Sequence, residues 1–541
     1  MKKNRIQQYC GAALAMLMSS AVYGQEMKPN NGKKGKPLKV YLMAGQSNMT
    51  GMVKNSTLDH IKMFPATAKE FEDLFNKDGS PVALDDVYVS QWKEKACGKL
   101  APKYGGGKSG DMFGPEYAFG IYMHKKMQEP ILIIKTSEGG KDLNYHFRPP
   151  SAVEWTPPEG HPDLIKKKDV KLPPLPIPAK LDLADDWTPE KPYALQKKHM
   201  GLDGFKGAEI GKMNGISPLY VMYDLKQKIK GDPFQKDDLI LGVDGSGLRD
   251  DPVAHWRDAF YSSKASDGDW MIKITRWRKG KIETFDFDIC DTIEGGRAKL
   301  PEYLAELEKQ RIEKKKQCGG YYRDMIAHIK KVLGDIKSVY PEYDAKAGYE
   351  IAGFVWLQGW NDMINEGVYP NRDQPRGYEQ YSWLLEHFIR DVRKDMNVPN
   401  MPFVIGVMGV DGIDDPPTGF LGHFQQAMAA PASNPEYKGT VAAVQLGKYW
   451  DHELAALVEK TGKLKEKMND FKYKDGLTGD ALKKACADYR ATQITPKEEE
   501  ILRKGVSEGG FHYLGSAKIM CGIGKGFAEA MVELQDKATK K

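Results

Sequence analysis

Leu42-Met43-Ala44-Gly45-Gln46-Ser47-Asn48-Met49-Thr50 decides how the rest of the chain is read. It continues the apolar run from Val40 and places Ser47 at the tip of a strand-to-loop turn. Gly45 permits a sharp change of backbone direction there. A hydroxyl at the carboxyl end of a buried parallel strand stands where open α/β sheets carry their reactive groups. A nucleophilic Ser47 requires a base and an oxyanion hole from elsewhere in the chain.

Working outward, four further short apolar runs read as buried parallel strands: Ile131 to Lys135, Ile351 to Leu357, Pro402 to Met408 and Thr440 to Leu446. Helical patterns separate them: Pro115 to Met127, Tyr321 to Val339, Tyr378 to Asp395 and Phe420 to Ala429, with a last one from Gly515 to Leu534. Strands alternating with helices predict a three-layer α/β/α domain around a parallel sheet of about five strands. Residues 148–317 break this rhythm. Their first third is dense in proline, which excludes continuous helix and central strand. Trp270 to Phe287 alternates apolar and polar residues around a Lys279-Gly280 turn signal. The stretch reads as an insertion, either a small β subdomain on the flank or a lid. The sheet domain then occupies 38–147 and 318–535, with a tail at 536–541. Within it, Lys463 to Glu500 is charged and helical in pattern.

The 541 residues are 41% hydrophobic, enough for a large core and too apolar for a disordered chain. No apolar run reaches the roughly 20 residues that cross a bilayer. Lys2, Lys3 and Arg5 precede the apolar stretch Gly11 to Val22, and small residues lead to Gly24. That layout predicts a signal peptide over 1–24, a flexible leader over 25–37 and a secreted or periplasmic protein. Cys10 lies before the apolar run, which argues against a lipoprotein anchor. Removing those three cations takes the formal charge from +6 to +3, too weak for a nucleic-acid partner. Cys97, Cys290, Cys318, Cys486 and Cys521 form no CxxC, so no metal or redox motif is expected. Their odd number allows one or two disulfides. The Asp250-Asp251 pair has no partner cluster and reads as a solvated turn.

Three strand ends and one loop before the last helix carry polar groups in the pattern acyl transfer needs. They are Gly45 to Met49, Lys135 to Gly140, Trp356 to Asp362 and Gly509 to Tyr513. AGQSNM, GPEYAFG with KTSEGGKDLNYHFRPPSA, LQGWNDM and FHYLGSAKI together resemble the SGNH hydrolase superfamily in its sialate O-acetylesterase-like branch, which includes the family-six carbohydrate esterases acting on acetylxylan. All four blocks occur in family order, through residues 38–152 and roughly 320–535.

The resemblance implies a flavodoxin-like SGNH fold and a secreted serine esterase removing O-acetyl groups from carbohydrate, either a polysaccharide such as xylan or sialic acid. It implies Ser47 as nucleophile and His512 as general base. The oxyanion hole would combine the Ser47 N–H, an N–H of Gly139 or Gly140, and a side-chain amide. Branches with GxND use the asparagine and branches with HQGE the glutamine, so both Gln358 and Asn361 are candidates, taken in that order. Gln46, Asn48, Trp360 and Tyr513 border these groups and are the expected substrate contacts. No metal or organic cofactor is implied. Two positions depart from the family: Gly509 stands where an aspartate commonly orients the imidazole, and Trp360 replaces the third-block glutamate. Glu508, Asp451 or a Ser–His dyad backed by a carbonyl would compensate. A catalytically weak carbohydrate-binding relative and a lipase or thioesterase on the same fold are the competing readings. Asp362 reads as a structural partner of its own loop.

Overall fold

The computed structural model describes residues 36–92, 96–106, 110–153, 174–181, 183, 205–207, 218–221, 234–248, 270–292, 296–413 and 418–539. The expected signal segment, nearly all of the leader, most of the proline-dense stretch and Asp250-Asp251 lie outside them. Two compact units emerge. One comprises the chain to Leu143, Tyr321–Asn361 and Asp373 onward; the other comprises Asn144–Gly320 and Asp362–Arg372.

The first unit is built on a sheet of β1 (Leu38–Gly45), β2 (Leu84–Gln91), β3 (Cys97–Leu100), β4 (Ile131–Ser137), β5 (Tyr349–Leu357), β6 (Phe403–Val407) and β7 (Val441–Gln445). Their order is β7-β6-β5-β1-β4-β2-β3. All neighbours run parallel except β2 and β3. The five strands expected from the apolar runs are present, and the sheet has seven rather than about five. Leu84–Gln91 escapes an apolar-run reading because it opens with Leu-Asp-Asp. Cys97–Leu100 is an edge strand that buries only Leu100. Residues 38–45 are almost wholly buried, which is why β1 is an unbroken apolar run and not an alternating one.

Helices cover both faces, so the three-layer α/β/α architecture holds. They are α1 (Ser47–Thr50), α2 (Glu116–Met127), α3 (Gly320–Gly334), α4 (Glu379–Asp395), α5 (Gly419–Ser433), α6 (His452–Tyr473) and α7 (Ala517–Thr539), with shorter elements between. Alternation along β5 makes the layering concrete. A Cβ built on Gly353 would lie 2.3 Å from the Met531 sulfur of α7, whereas the next residue, Phe354, packs edge-on against Phe388 of α4. Tyr41 in β1 meets Phe119 of α2 and accepts a hydrogen bond from Gln535 of α7. The final helix runs to Thr539, past the expected end at Leu534 and into the expected tail.

Strand order places the turn that follows β1. The chain leaves β1 toward β2, returns to β4 beside β1, then crosses to β5 on the other side and continues outward. The carboxyl edge of β1 is therefore the topological switch point, where connections diverge and leave a crevice. Ser47 sits there.

In the second unit, strands Met271–Arg278 and Lys281–Asp288 pair antiparallel, closed by Lys279 and Gly280, both at positive φ as a two-residue hairpin requires. They extend a sheet through Leu239–Val243, Leu219–Val221 and Phe205–Gly207. Its strands alternate between two cores: Leu219, Val221, Ile272 and Ile274 face one, and Tyr220, Leu239 and Trp277 the other. Asp362, fully buried, accepts hydrogen bonds from the Asn144 N–H and the Tyr369 hydroxyl, the structural role expected for it.

Cys97, Cys290, Cys318, Cys486 and Cys521 form no disulfide among the described residues, so the allowance for one or two is not realised there. No described helix is long and apolar enough to cross a membrane.

Candidate active site

The turn after β1 is made by close backbone approach. A Cβ on Gly45 would lie 2.0 Å from the Leu357 carbonyl oxygen, so only glycine fits between β1 and β5. The Gln46 N–H then donates to that carbonyl at 3.1 Å. Ser47 opens α1, whose two turn-closing bonds run from the Thr50 N–H to Gln46 O and from the Gly51 N–H to Ser47 O. The Ser47 N–H thus has no acceptor inside its own turn. From β4, the Glu138 N–H donates to Gly45 O at 3.2 Å, which brings the glycine pair alongside. A Cβ on Gly139 would stand 3.7 Å from the Ser47 Cβ.

The third block is bound to the turn by Gln46, a side chain only 3% exposed. Its Oε1 accepts from the Gly359 N–H at 3.0 Å and from Gln358 Nε2 at 3.2 Å, and its Nε2 donates to Asn361 Oδ1 at 3.2 Å. Gln358 Nε2 donates a second time, to Lys141 O at 3.2 Å, and its Oε1 accepts from the Tyr381 hydroxyl. Both Gln358 amide protons are therefore committed within the protein. Asn361 is half-buried and turns its oxygen to Gln46, with its nitrogen on the other side.

The imidazole comes from the loop before α7. Asn48, next to Ser47, donates through Nδ2 to the Phe511 carbonyl at 3.1 Å, next to His512. That bond joins the Ser47 turn to the histidine loop. The loop is strained, with Tyr513 at φ +53° and Leu514 at φ +60°. It is over-determined by its partners: the Ser507 and Glu508 N–H groups donate to Leu514 O, and the buried Tyr513 hydroxyl accepts from the Gly409 N–H at 3.0 Å. His512 Nδ1 faces Glu508 Oε2 at 3.6 Å. Burial lowers the His512 pKa below its ordinary 6.5, while the Glu508 carboxylate opposes the shift.

Beneath α1 lies a fully buried ion pair. Lys135 Nζ donates to Glu116 Oε2 at 2.6 Å, to Thr50 O at 2.8 Å and to Tyr104 O at 2.6 Å. Thr50 ends α1, so the ammonium meets the carbonyl end of the helix that Ser47 begins, where a cation is favourable.

Several expected roles change. Asp451 is not beside the imidazole. Its Oδ1 caps α6 by accepting from the Leu454 N–H, its Oδ2 pairs with Lys518 at 2.8 Å, and among the described residues Glu508 is the charge that acts on His512. Tyr513 is 1% exposed, so its ring packs and does not meet substrate. Gln46 and Asn48 are likewise buried, and their side-chain nitrogens donate inside the protein. Trp360 remains half-exposed, and its ring lies 6.0 Å from that of Phe511, an aromatic residue the motif reading passed over. Phe511 is 46% exposed directly before His512, and its position in FHY was the available signal. Among the described residues no three His, Cys, Asp or Glu side chains gather as metal ligands.

Residues 308–453, which include the third block, match the family described as carbohydrate esterase, sialic acid-specific acetylesterase. Over that stretch the chain resembles the sialate O-acetylesterase-like family. A solved structure from Arabidopsis thaliana aligns with this chain at 10% identity and a TM-score of 0.28, covering 76% of this chain and 86% of that one. A carbohydrate acetylesterase from Xanthomonas citri aligns at 8% identity and a TM-score of 0.24. That alignment covers 75% of this chain and 49% of the Xanthomonas protein, about half its length. No curated protein matches the chain.

Proposed function

We propose that this SGNH protein is a secreted serine esterase that removes O-acetyl groups from carbohydrate. The observation that carries the reading is the Asn48–Phe511 hydrogen bond, which couples the residue after Ser47 to the residue before His512. Ser47 Oγ attacks the acetyl carbonyl as His512 Nε2 takes its proton, with Nδ1 turned toward Glu508. The oxyanion is held by the Ser47 and Gly139 N–H groups and by Asn361 Nδ2, because Gln358 has spent both its amide protons. Collapse expels the sugar hydroxyl, protonated by His512, and leaves acetyl-Ser47. Water, deprotonated by His512, then releases acetate.

Glu508 is the orienting acid in this scheme. A 3.6 Å separation is longer than a hydrogen bond, and such contacts tighten when substrate arrives. The exposed Phe511 and Trp360 rings beside the reacting groups favour a pyranose substrate, and a polysaccharide fits an aromatic rim better than a lone anionic sugar. The sequence over 1–24 would export the protein, which a mature amino terminus at Gln25 would verify.

Acetate release from p-nitrophenyl acetate and from acetylated xylan, compared between wild type and Ser47→Ala, tests the proposal. Ser47-dependent turnover of both is expected. Equal rates would reject the esterase, and glycan binding without turnover would instead favour a carbohydrate-binding relative. Faster cleavage of octanoyl than acetyl esters would move the reading to a lipase.

A further inference from the structure

We infer that Gln46 acts as a positioning residue that sets which end of the Asn361 amide faces the reacting carbonyl; the inference rests on the esterase reading above. Side-chain amides are ambiguous by shape, since oxygen and nitrogen are nearly isosteric. Here a backbone group removes the ambiguity. The Gly359 N–H can only donate, and it meets the Gln46 side chain at 3.0 Å, so the atom there is Oε1. The Gln358 amide nitrogen, donating to the same oxygen, agrees. Gln46 must then present Nε2 to Asn361 at 3.2 Å, and Asn361 must answer with Oδ1. Asn361 Nδ2 is left on the opposite side as a donor.

The polarity thus passes from one peptide N–H through two side-chain amides. Burial of Gln46 keeps water from substituting for either contact, and the Gln46 N–H to Leu357 O bond prevents the residue from backing away. With Asn361 reversed, two NH₂ groups would face each other and a lone pair would oppose the oxyanion.

Gln46→Glu tests this, because a carboxylate still accepts from the Gly359 N–H but turns its other oxygen on Asn361. Asn361 then rotates, giving Nδ2 to residue 46 and Oδ1 to the oxyanion. The expected loss in kcat on p-nitrophenyl acetate is roughly 10²–10³-fold, the scale for removing one oxyanion donor, with little change in KM. Adding Asn361→Ala to Gln46→Glu should cost no more than Asn361→Ala alone. Multiplicative losses, or unchanged kcat in Gln46→Glu, would overturn the inference. Should Gln46→Glu fail to fold, Asn361→Asp serves at a half-buried site, since Gln46 Nε2 holds one oxygen and the other faces the oxyanion. It should be slower than Asn361→Ala, and equal or faster turnover would overturn the inference. Failure of the esterase reading itself appears separately, as turnover that survives Ser47→Ala. In that event the hydrogen-bond partners in a crystal structure of Gln46→Glu still decide. Asn361 nitrogen turned to residue 46 supports the relay, and an unturned amide refutes it.

Discussion

His512 Nδ1 and Glu508 Oε2 stand 3.6 Å apart, four residues from each other and in a loop whose next two residues have left-handed backbone. The carboxylate acts on the imidazole through charge and orientation at once, and the two effects separate by pH. A general base must be neutral, so kcat/KM rises with pH through the His512 pKa. Burial puts that acid limb below pH 6.5, and the Glu508 charge holds it up against burial. Glu508→Gln should therefore move the limb to lower pH while the plateau falls roughly ten- to hundredfold, less than the ~10⁴ lost when a serine protease's orienting aspartate is changed. A limb displaced upward in a pH–rate profile would contradict this role.

Asn48 gives a second lever on the same geometry. Its Nδ2 faces the Phe511 carbonyl, and its Oδ1 is buried with no partner among the described residues, so the bond to Phe511 orients the amide. Asn48→Ala should lower kcat more than it raises KM, because the histidine loop loses its tie to the nucleophile turn. Asn48→Asp sets an anion against a carbonyl oxygen and should be slower still. Steady-state kinetics of both variants check the order; an aspartate variant faster than the alanine one would refute it.

Much of this was legible beforehand, for identifiable reasons. β1, β4, β5, β6 and β7 announce themselves as apolar runs because both faces of a parallel strand are buried. β2 and β3 do not, because Asp85 and Asp86 break one and the other is a short edge. Motif blocks offer Ser47, Gly139 or Gly140, Gln358 or Asn361, and His512 as candidates, but a motif carries no hydrogen-bond direction. The choice between Gln358 and Asn361 depends on where Lys141 O, Tyr381 and the Gly359 N–H lie in space. Asp451 was misread as a catalytic candidate, although an aspartate opening Asp-His-Glu-Leu carries the signature of a helix N-cap. Tyr513 was misread because an aromatic beside a catalytic histidine looks alike whether it packs inward or faces solvent.

The Lys135–Glu116 pair under α1 supplies a stability prediction. Both side chains are fully buried, and Glu116 Oε1 also accepts from the Gly114 N–H at 3.0 Å. Lys135→Met would strand the carboxylate and remove the donor to Thr50 O, costing about 3–5 kcal/mol. Lys135→Met combined with Glu116→Leu should recover part of that loss, because no buried charge is then left alone. Denaturant midpoints of the single and double variants measure the difference. A double variant no more stable than Lys135→Met would show that a stranded carboxylate is not what the single variant suffers from.

Phe511 and Trp360 make the last prediction, which concerns substrate size. A phenyl ring 46% exposed beside His512 gains little from folding, and its carbonyl, not its ring, makes the structural bond to Asn48. The ring is thus free to meet a sugar face together with Trp360, which directly precedes Asn361. If each ring contributes about 1 kcal/mol of stacking, Phe511→Ala and Trp360→Ala should each raise KM for acetylated xylan roughly fivefold. The small ester p-nitrophenyl acetate covers less of the rim, so its KM should rise less than that of the polymer. Measuring both substrates on both variants gives a ratio of KM changes. A ratio near one, with both substrates equally affected, would mean that the rings support the loop and do not bind glycan.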